Sequence, residues 1–402
     1  MLRSSKYRFV QLELTESSGL NHSNIVDHAL QYPHSSHPGD CLRDHCLCFT
    51  ACSMDGGKWI ADRSEYQVST FPSAMFCVAR WFYGERYVGR WDSTNVNAFW
   101  SGPYLRVRFT NTTTLKVKLD NSASFHSDVV TEVTVVYRID SGSANIGPTA
   151  LTLNTSGVFD ITPSGSLRTS RIYSLQIGGL GWRDVIQFRG LQFDNGGYTI
   201  HQNFPTKLIE FVGDSITAGA TDTLETWSDY SFLTGEKLGV EHTQIAYPAI
   251  CLTNYGTCPN QTMSDYFFSA RNPGYDFTPW DFSKYKADAL SIMIGQNDHG
   301  HGPAPSALFQ STLTTLLTGI RAKHPLAHIF ILLTFRGFYE TEIVASIAER
   351  NTAGDNALTF VNTTGWLNST DFLIGAGPHP SDAGHRKVAK LLIPIFKSVL
   401  RW

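Results

Sequence analysis

Apolar positions along this 402-residue chain follow two rhythms in succession. Between about Val88 and Phe193 they alternate with polar ones. Leu105, Val107 and Phe109 fall on one side of a run whose other side carries Tyr104, Arg106 and Arg108, and Leu115, Val117 and Leu119 alternate with Lys116 and Lys118. Alternation at period two predicts half-buried strands, and the stretch 110–114 between these runs predicts a hairpin connection. Similar runs cover 133–139, 172–177 and 185–193, separated by Gly, Ser, Asn and Pro turns such as 140–148. No helical spacing interrupts them. Short strands with frequent turns predict an antiparallel β-sandwich over residues 85–204, which buries its apolar faces by pairing two sheets.

Around Pro205 the rhythm changes to short apolar runs alternating with spacing near 3.6. Strands are predicted at 207–212, 243–247, 289–294, 328–334 and 358–361, and helices at 227–238, 306–323, 340–350 and 382–400. In 306–323 the apolar positions are Leu308, Leu313, Leu316, Leu317 and Ile320. This order implies an α/β architecture in residues 205–402: three layers, with a parallel sheet covered on both faces and functional loops at the carboxyl ends of its strands.

Residues 1–84 fit neither rhythm and are expected to form an irregular extension. They hold Cys41, Cys46, Cys48, Cys52 and Cys77 with five histidines, but the cysteine spacing lacks the paired C-x2-C arrangement of common structural zinc sites, so no metal is expected.

Composition narrows the classes without choosing a function. Hydrophobic residues make up 42% and charged residues 17%, which fits a globular chain. The net charge of -3 provides no electrostatic footprint for nucleic acid or an anionic membrane. No apolar stretch approaches the ~20 residues that span a bilayer, and the N-terminus shows no signal-peptide h-region. Six Asn-x-Ser/Thr sequons, at Asn21, Asn111, Asn154, Asn260, Asn362 and Asn368, point outward instead, toward an extracellular glycoprotein. Cys251 and Cys258 are near enough in sequence for a small disulfide loop.

Three short segments carry candidate chemistry. Gly213-Asp214-Ser215-Ile216 follows an apolar strand, Gly295-Gln296-Asn297-Asp298 follows another, and His379-Pro380 precedes the last helix. A serine leaving a buried strand at a helix N-terminus is a candidate nucleophile, an asparagine at a strand end a candidate oxyanion donor, and a histidine held extended by the following proline a candidate base. Each segment alone is more often structural: an N-cap serine, an Asn-Asp turn, a surface histidine. Thr217 occupies the second glycine position of a G-x-S-x-G elbow, which disfavours an ordinary α/β-hydrolase. His299 and His301 read as loop residues, His385 as a helix residue and Asp382 as a first-turn carboxylate.

Phe211 to Thr217, Ile294 to Asp298 and His379 to His385 resemble three blocks of the SGNH (GDSL-type) hydrolases. The resemblance implies that Ser215 is the nucleophile and one oxyanion N–H, Asn297 the oxyanion amide and His379 the base. It implies no cofactor and no metal. The second block of that family supplies a glycine N–H, and Ala249 stands at the nearest position here. Upstream, Val88 to Asp92 and Phe99 to Phe109 are similar to the jelly-roll start of the two-domain family 2 carbohydrate acetylesterases. Those enzymes deacetylate polysaccharides of the xylan and glucomannan type. Their base usually follows an acid by three residues, whereas this chain has Ala376 there, so the resemblance implies the variant in which a backbone carbonyl orients the histidine.

The expected activity is therefore removal of acetyl groups from acetylated polysaccharide or oligosaccharide by a Ser-His dyad, with Asp214, Trp280 and Asp298 as candidate substrate contacts. The alternative is a catalytically inactive carbohydrate-binding protein on the same fold, which the missing acid and the tryptophans Trp91, Trp100, Trp182, Trp227, Trp280 and Trp366 also fit.

Overall fold

The computed structural model of the chain describes residues 52–55, 58–61, 85–92, 97–123, 132–141, 144–165, 167–194, 196–201 and 203–402. Cys41, Cys46, Cys48 and Cys77, which enter the zinc reading, lie outside them. Within the stretch expected to be irregular, β1 (Cys52–Asp55) and β2 (Lys58–Ala61) form an antiparallel hairpin in a unit of their own, residues 1–67.

The period-two region forms two antiparallel sheets. The first holds β3 (Glu85–Val88), β6 (Tyr104–Thr110), β8 (Val133–Ser141), β9 (Ala144–Leu153), β11 (Ile172–Gly179) and β13 (Tyr198–Ile200). The second holds β4 (Trp91–Asp92), β5 (Asn97–Ala98), β7 (Leu115–Asp120), β10 (Gly157–Asp160) and β12 (Ile186–Phe193). Leu105, Val107 and Phe109 from one sheet meet Leu115, Val117 and Leu119 from the other in a shared core, so residues 110–114, expected to close a hairpin, instead cross from one sheet to the other. The expected turn at 140–148 is shorter than its sequence suggests, because β9 begins at Ala144 and runs through Pro148. Proline is tolerated there because β9 lies at the edge of its sheet, where a missing N–H breaks no central ladder.

The second region contains a parallel sheet of β14 (Leu208–Gly213), β15 (Glu241–Ala246), β16 (Ala289–Met293), β17 (His328–Leu332) and β18 (Leu358–Val361), in the order β15-β14-β16-β17-β18. Helices α1 (Tyr230–Leu238), α2 (Met263–Tyr266), α3 (Gln296–Gly300), α4 (Ser306–Lys323), α5 (Glu340–Thr352) and α6 (Asp382–Leu400) follow in chain order. Successive strand residues face opposite layers. Ile209 and Phe211 pack with Tyr230 of α1 and Val388, Leu392 and Phe396 of α6, while Val212, Leu290 and Ile292 pack with Leu313 and Leu316 of α4 and Ile343 of α5. The predicted helix from 227 starts later, at Tyr230, because the Asp229 side chain accepts from Phe232 N and sets the cap there.

The polar face of the first sandwich sheet is an interface. Arg106 pairs with Glu236 of α1 at 2.5 Å, Arg138 binds the same carboxylate, and Gln176 lies 3.4 Å from it. Residues 68–402 accordingly form a single compact unit. Strand β15 is the edge of the parallel sheet, and the chain just before β6 covers it. Ser101 Oγ donates to Ala246 O at 3.0 Å, Tyr104 Oη accepts from His242 N at 3.3 Å, and Gly102 lies so close that a Cβ there would sit 2.2 Å from Gln244 N. An uncovered edge strand is a template for unwanted pairing, so this contact removes a liability as well as joining the two parts.

A buried charge cluster joins them a second time. The fully buried Arg90 guanidinium contacts Glu210 of β14 at 3.1 Å and donates to the carbonyls of Phe267 and Ser269. Tyr285 Oη also donates to Glu210, at 2.6 Å. Burial raises the Glu210 carboxyl, but Arg90 and His324 outweigh it and hold the group down at about 2.

Candidate active site

Strand order sets where the site lies. β14 leads to β15 on one side, and the chain then returns to place β16 on the other, so the carboxyl ends of these three strands meet at a topological switch point. Ser215 follows β14, Ala249 follows β15 and Asn297 is the second residue of α3, just after β16.

Ser215 is in a turn rather than at a helix N-terminus. Ala218 N bonds Asp214 O at 2.9 Å and Ala220 N bonds Ser215 O at 3.0 Å, but Gly219 at φ 64° turns the chain before a helix can continue. His379 Nε2 lies 2.8 Å from Ser215 Oγ, and its Nδ1 lies 2.5 Å from Ala376 O. A carbonyl can only accept, so Nδ1 carries the proton and Nε2 presents a lone pair to the serine hydroxyl. The atom that orients the imidazole is thus a backbone oxygen, at the residue where a triad acid is expected.

A narrow turn delivers that oxygen. Phe372 and Pro380 pair as an antiparallel bridge, Leu373 N donates to His379 O at 3.0 Å, and Ala376 N donates to Leu373 O at 3.2 Å. Beyond it, Ser381 caps α6 by accepting from Gly384 N. Asp382, expected to act on the helix dipole, also accepts from Thr223 N at 3.0 Å and so ties the helix to the loop after Ser215. His385 is buried in α6. Its Nδ1 accepts from Tyr230 N at 3.0 Å and its Nε2 faces Asp222 Oδ1 at 3.3 Å. Burial drives the imidazole down to about 3, while burial and then the charges of Asp229, Asp382 and Glu225 drive the Asp222 carboxyl up to about 9. Both shifts favour the neutral form of the group concerned.

Ala249 is exposed at φ 61°, and its N–H has no partner among the described residues. An L-residue in this left-handed conformation is disfavoured by about 1 kcal/mol, which explains why a glycine suits the position. Asn297 Nδ2 donates to Ile250 O at 2.9 Å, leaving its second amide hydrogen for another acceptor. Asp298 accepts from Leu252 N, Thr253 N and Thr253 Oγ1 at 2.8, 2.8 and 2.9 Å. The two neighbours on α3 therefore hold the loop bearing Ala249, and a disulfide between Cys251 and Cys258 closes the same loop.

The three side chains expected at the substrate are committed elsewhere. Asp298 is buried with its oxygens occupied by that loop. Asp214 is buried and accepts from Ile216 N at 3.0 Å; burial, with the Asp298 charge adding to it, pushes its carboxyl up to about 7. Trp280 is buried against Tyr285, with Arg90 and Lys284 over its ring. Trp182 is only partly buried and meets Tyr247, two residues before Ala249, edge-on at 5.1 Å. Asn272 Nδ2 donates to Trp182 O at 3.0 Å. His299, expected in a loop, lies in α3 and stacks on Phe338 at 3.6 Å.

Residues 211–387 match the GDSL-like Lipase/Acylhydrolase family. The chain is 30% identical over 239 residues to the cellulase/esterase CelE of Acetivibrio thermocellus, a match covering 54% of this chain and 28% of that protein. It thus spans little more than a quarter of the length of this curated relative. Among solved structures, a family two carbohydrate esterase from Clostridium thermocellum, in complex with cellohexaose, is similar with TM-score 0.68 and 24% identity, covering 79% of this chain and all of the other. An acetyl xylan esterase from Butyrivibrio proteoclasticus is similar with TM-score 0.67 and 17% identity, covering 79% and 96%. These likenesses establish the shared two-part fold.

Proposed function

With residues 211–387 a GDSL-like lipase/acylhydrolase domain, we propose that the chain is a serine esterase that removes acetyl groups from acetylated carbohydrate. The observation that carries this reading is the Ser215 hydroxyl 2.8 Å from a His379 nitrogen whose tautomer Ala376 O fixes. His379 Nε2 takes the Ser215 proton as Oγ bonds to the acetyl carbon. The carbonyl electrons move onto oxygen, where the N–H groups of Ser215 and Ala249 and the Asn297 amide stabilise them. The sugar oxygen then leaves with the proton held on Nε2, and an acetyl-serine remains. Water, deprotonated by the same nitrogen, attacks it and releases acetate. No step needs a metal or cofactor.

The carbohydrate part of the reading rests on the sandwich joined to the hydrolase part and on Trp182 beside Tyr247, an aromatic pair suited to stacking on a sugar face. An extracellular setting is favoured by the Cys251–Cys258 disulfide and by exposed sequon residues Asn154, Asn260, Asn362 and Asn368. The test is acetate release from aryl acetates and from acetylated xylan and glucomannan, comparing wild type with Ser215→Ala. Loss of release in the variant is expected. Equal rates would overturn the assignment, and polysaccharide binding without acetate release would favour the inactive binding protein.

A further inference from the structure

We propose that Arg336 is a positioning residue for the base His379, an inference that rests on the esterase reading above. In this site the imidazole is oriented by a carbonyl, and that carbonyl is only as well placed as the turn that bears it. Ala376 stands near the tip of the turn between Phe372 and Pro380, flanked by Gly375 at φ 78° and Gly377 at φ 68°. Glycine has more backbone freedom than any other residue, so covalent geometry alone leaves the Ala376 peptide free to rotate its oxygen away from Nδ1. Two hydrogen bonds within the turn close its base and its first half, at Leu373 N to His379 O and Ala376 N to Leu373 O. Neither reaches the glycine-proline side of the tip.

Arg336 does. It lies on the exposed connection between β17 and α5, and its Nη2 donates to Gly377 O at 3.1 Å. Among the described residues this is the hydrogen bond that reaches residues 374–378 from outside the turn, and no carboxylate among them lies within ion-pair distance of Arg336 to compete for it. Two successive carbonyls are thereby engaged: Ala376 O by the imidazole and Gly377 O by the guanidinium. The second contact anchors the Gly377–Pro378 peptide, the unit next to the one that bears Ala376 O, and so restrains the direction of the first. A carboxylate needs no such brace, because it attracts the imidazolium by its own charge over a range of orientations; a peptide dipole must be aimed.

The experiment measures kcat, KM and the pH profile of aryl acetate hydrolysis for wild type, Arg336→Met, Arg336→Lys and Ser215→Ala, with the thermal midpoint of each. Arg336→Met is expected to lower kcat about 3- to 10-fold, the range an ordinary exposed hydrogen bond spans, with KM changed less than about twofold and an unchanged midpoint. Its kcat pH profile shifts as well, and Arg336→Lys recovers most of the rate. A methionine variant matching wild type in kcat and pH profile overturns the inference, as does a loss that lysine fails to restore. Should the methionine variant unfold, Arg336→Gln replaces it and is read the same way. Activity in Ser215→Ala equal to wild type would instead overturn the esterase reading itself, so the two failures are told apart.

Discussion

In the proposed mechanism the Asn297 side chain does two things at once: one amide hydrogen holds Ile250 O at 2.9 Å, and the other is offered to the oxyanion. Asn297→Ala is therefore expected to lower kcat about 10²- to 10³-fold. It should also cost about 1 kcal/mol of stability, because Ile250 O loses its donor. Steady-state kinetics and denaturant midpoints on the same variant separate the two effects, and a fall of less than about fivefold in kcat would remove the amide from the oxyanion role. Asn297, Ser215 and His379 are legible in sequence because each abuts a strand or helix with a clear period. Asp298 is not. Its partners Leu252 and Thr253 are distant in sequence, and an acid in an Asn-Asp pair reads equally as a turn or a ligand. Arg336 is silent for the same reason, since its contact at Gly377 depends on a turn that glycines leave undetermined in sequence.

At the level of elements, α4 and α6 keep the bounds expected from periodicity, since apolar stripes and, in α6, a Ser381 cap mark their ends. The edge strand β9 escapes that reading because its proline and turn residues resemble a loop, and only pairing with β8 makes it a strand. Periodicity also places His385 on α6 but says nothing of the backbone it binds. Its neutral ring takes Tyr230 N, so α6 and the start of α1 share a buried hydrogen bond. His385→Ala leaves the Tyr230 N–H without an acceptor and opens a cavity beside Asp222. A loss of about 2 to 4 kcal/mol is expected by denaturant unfolding, and a loss below about 0.5 kcal/mol would mean that water or a shift of α1 replaces the ring.

For the whole molecule, the decisive contacts are those between the sandwich and the parallel sheet, which separate rhythms in the sequence do not announce. Arg90 and Glu210 lie 120 residues apart and meet fully buried. Arg90→Met, which strands a buried carboxylate, is expected to cost about 3 to 5 kcal/mol near neutral pH. The pH dependence has a definite sign. The folded-state value of Glu210, about 2, lies below the ordinary 4.5, so the stabilisation is complete above about 4.5 and is lost as pH falls toward 2. Unfolding free energies measured from pH 7 to pH 3 should therefore converge between wild type and variant toward the acid end. Parallel curves would assign the loss to packing alone.

The cover over β15 reaches beyond stability. Ser101 Oγ bonds the carbonyl of Ala246, three residues before Ala249, and Gly102 admits no side chain against Gln244. The two halves therefore cannot be traded among proteins like beads on a string. A gene fusion that supplies a foreign sandwich must also supply this glycine-bearing strip, so the pair is expected to pass through descent and recombination as one inseparable cassette.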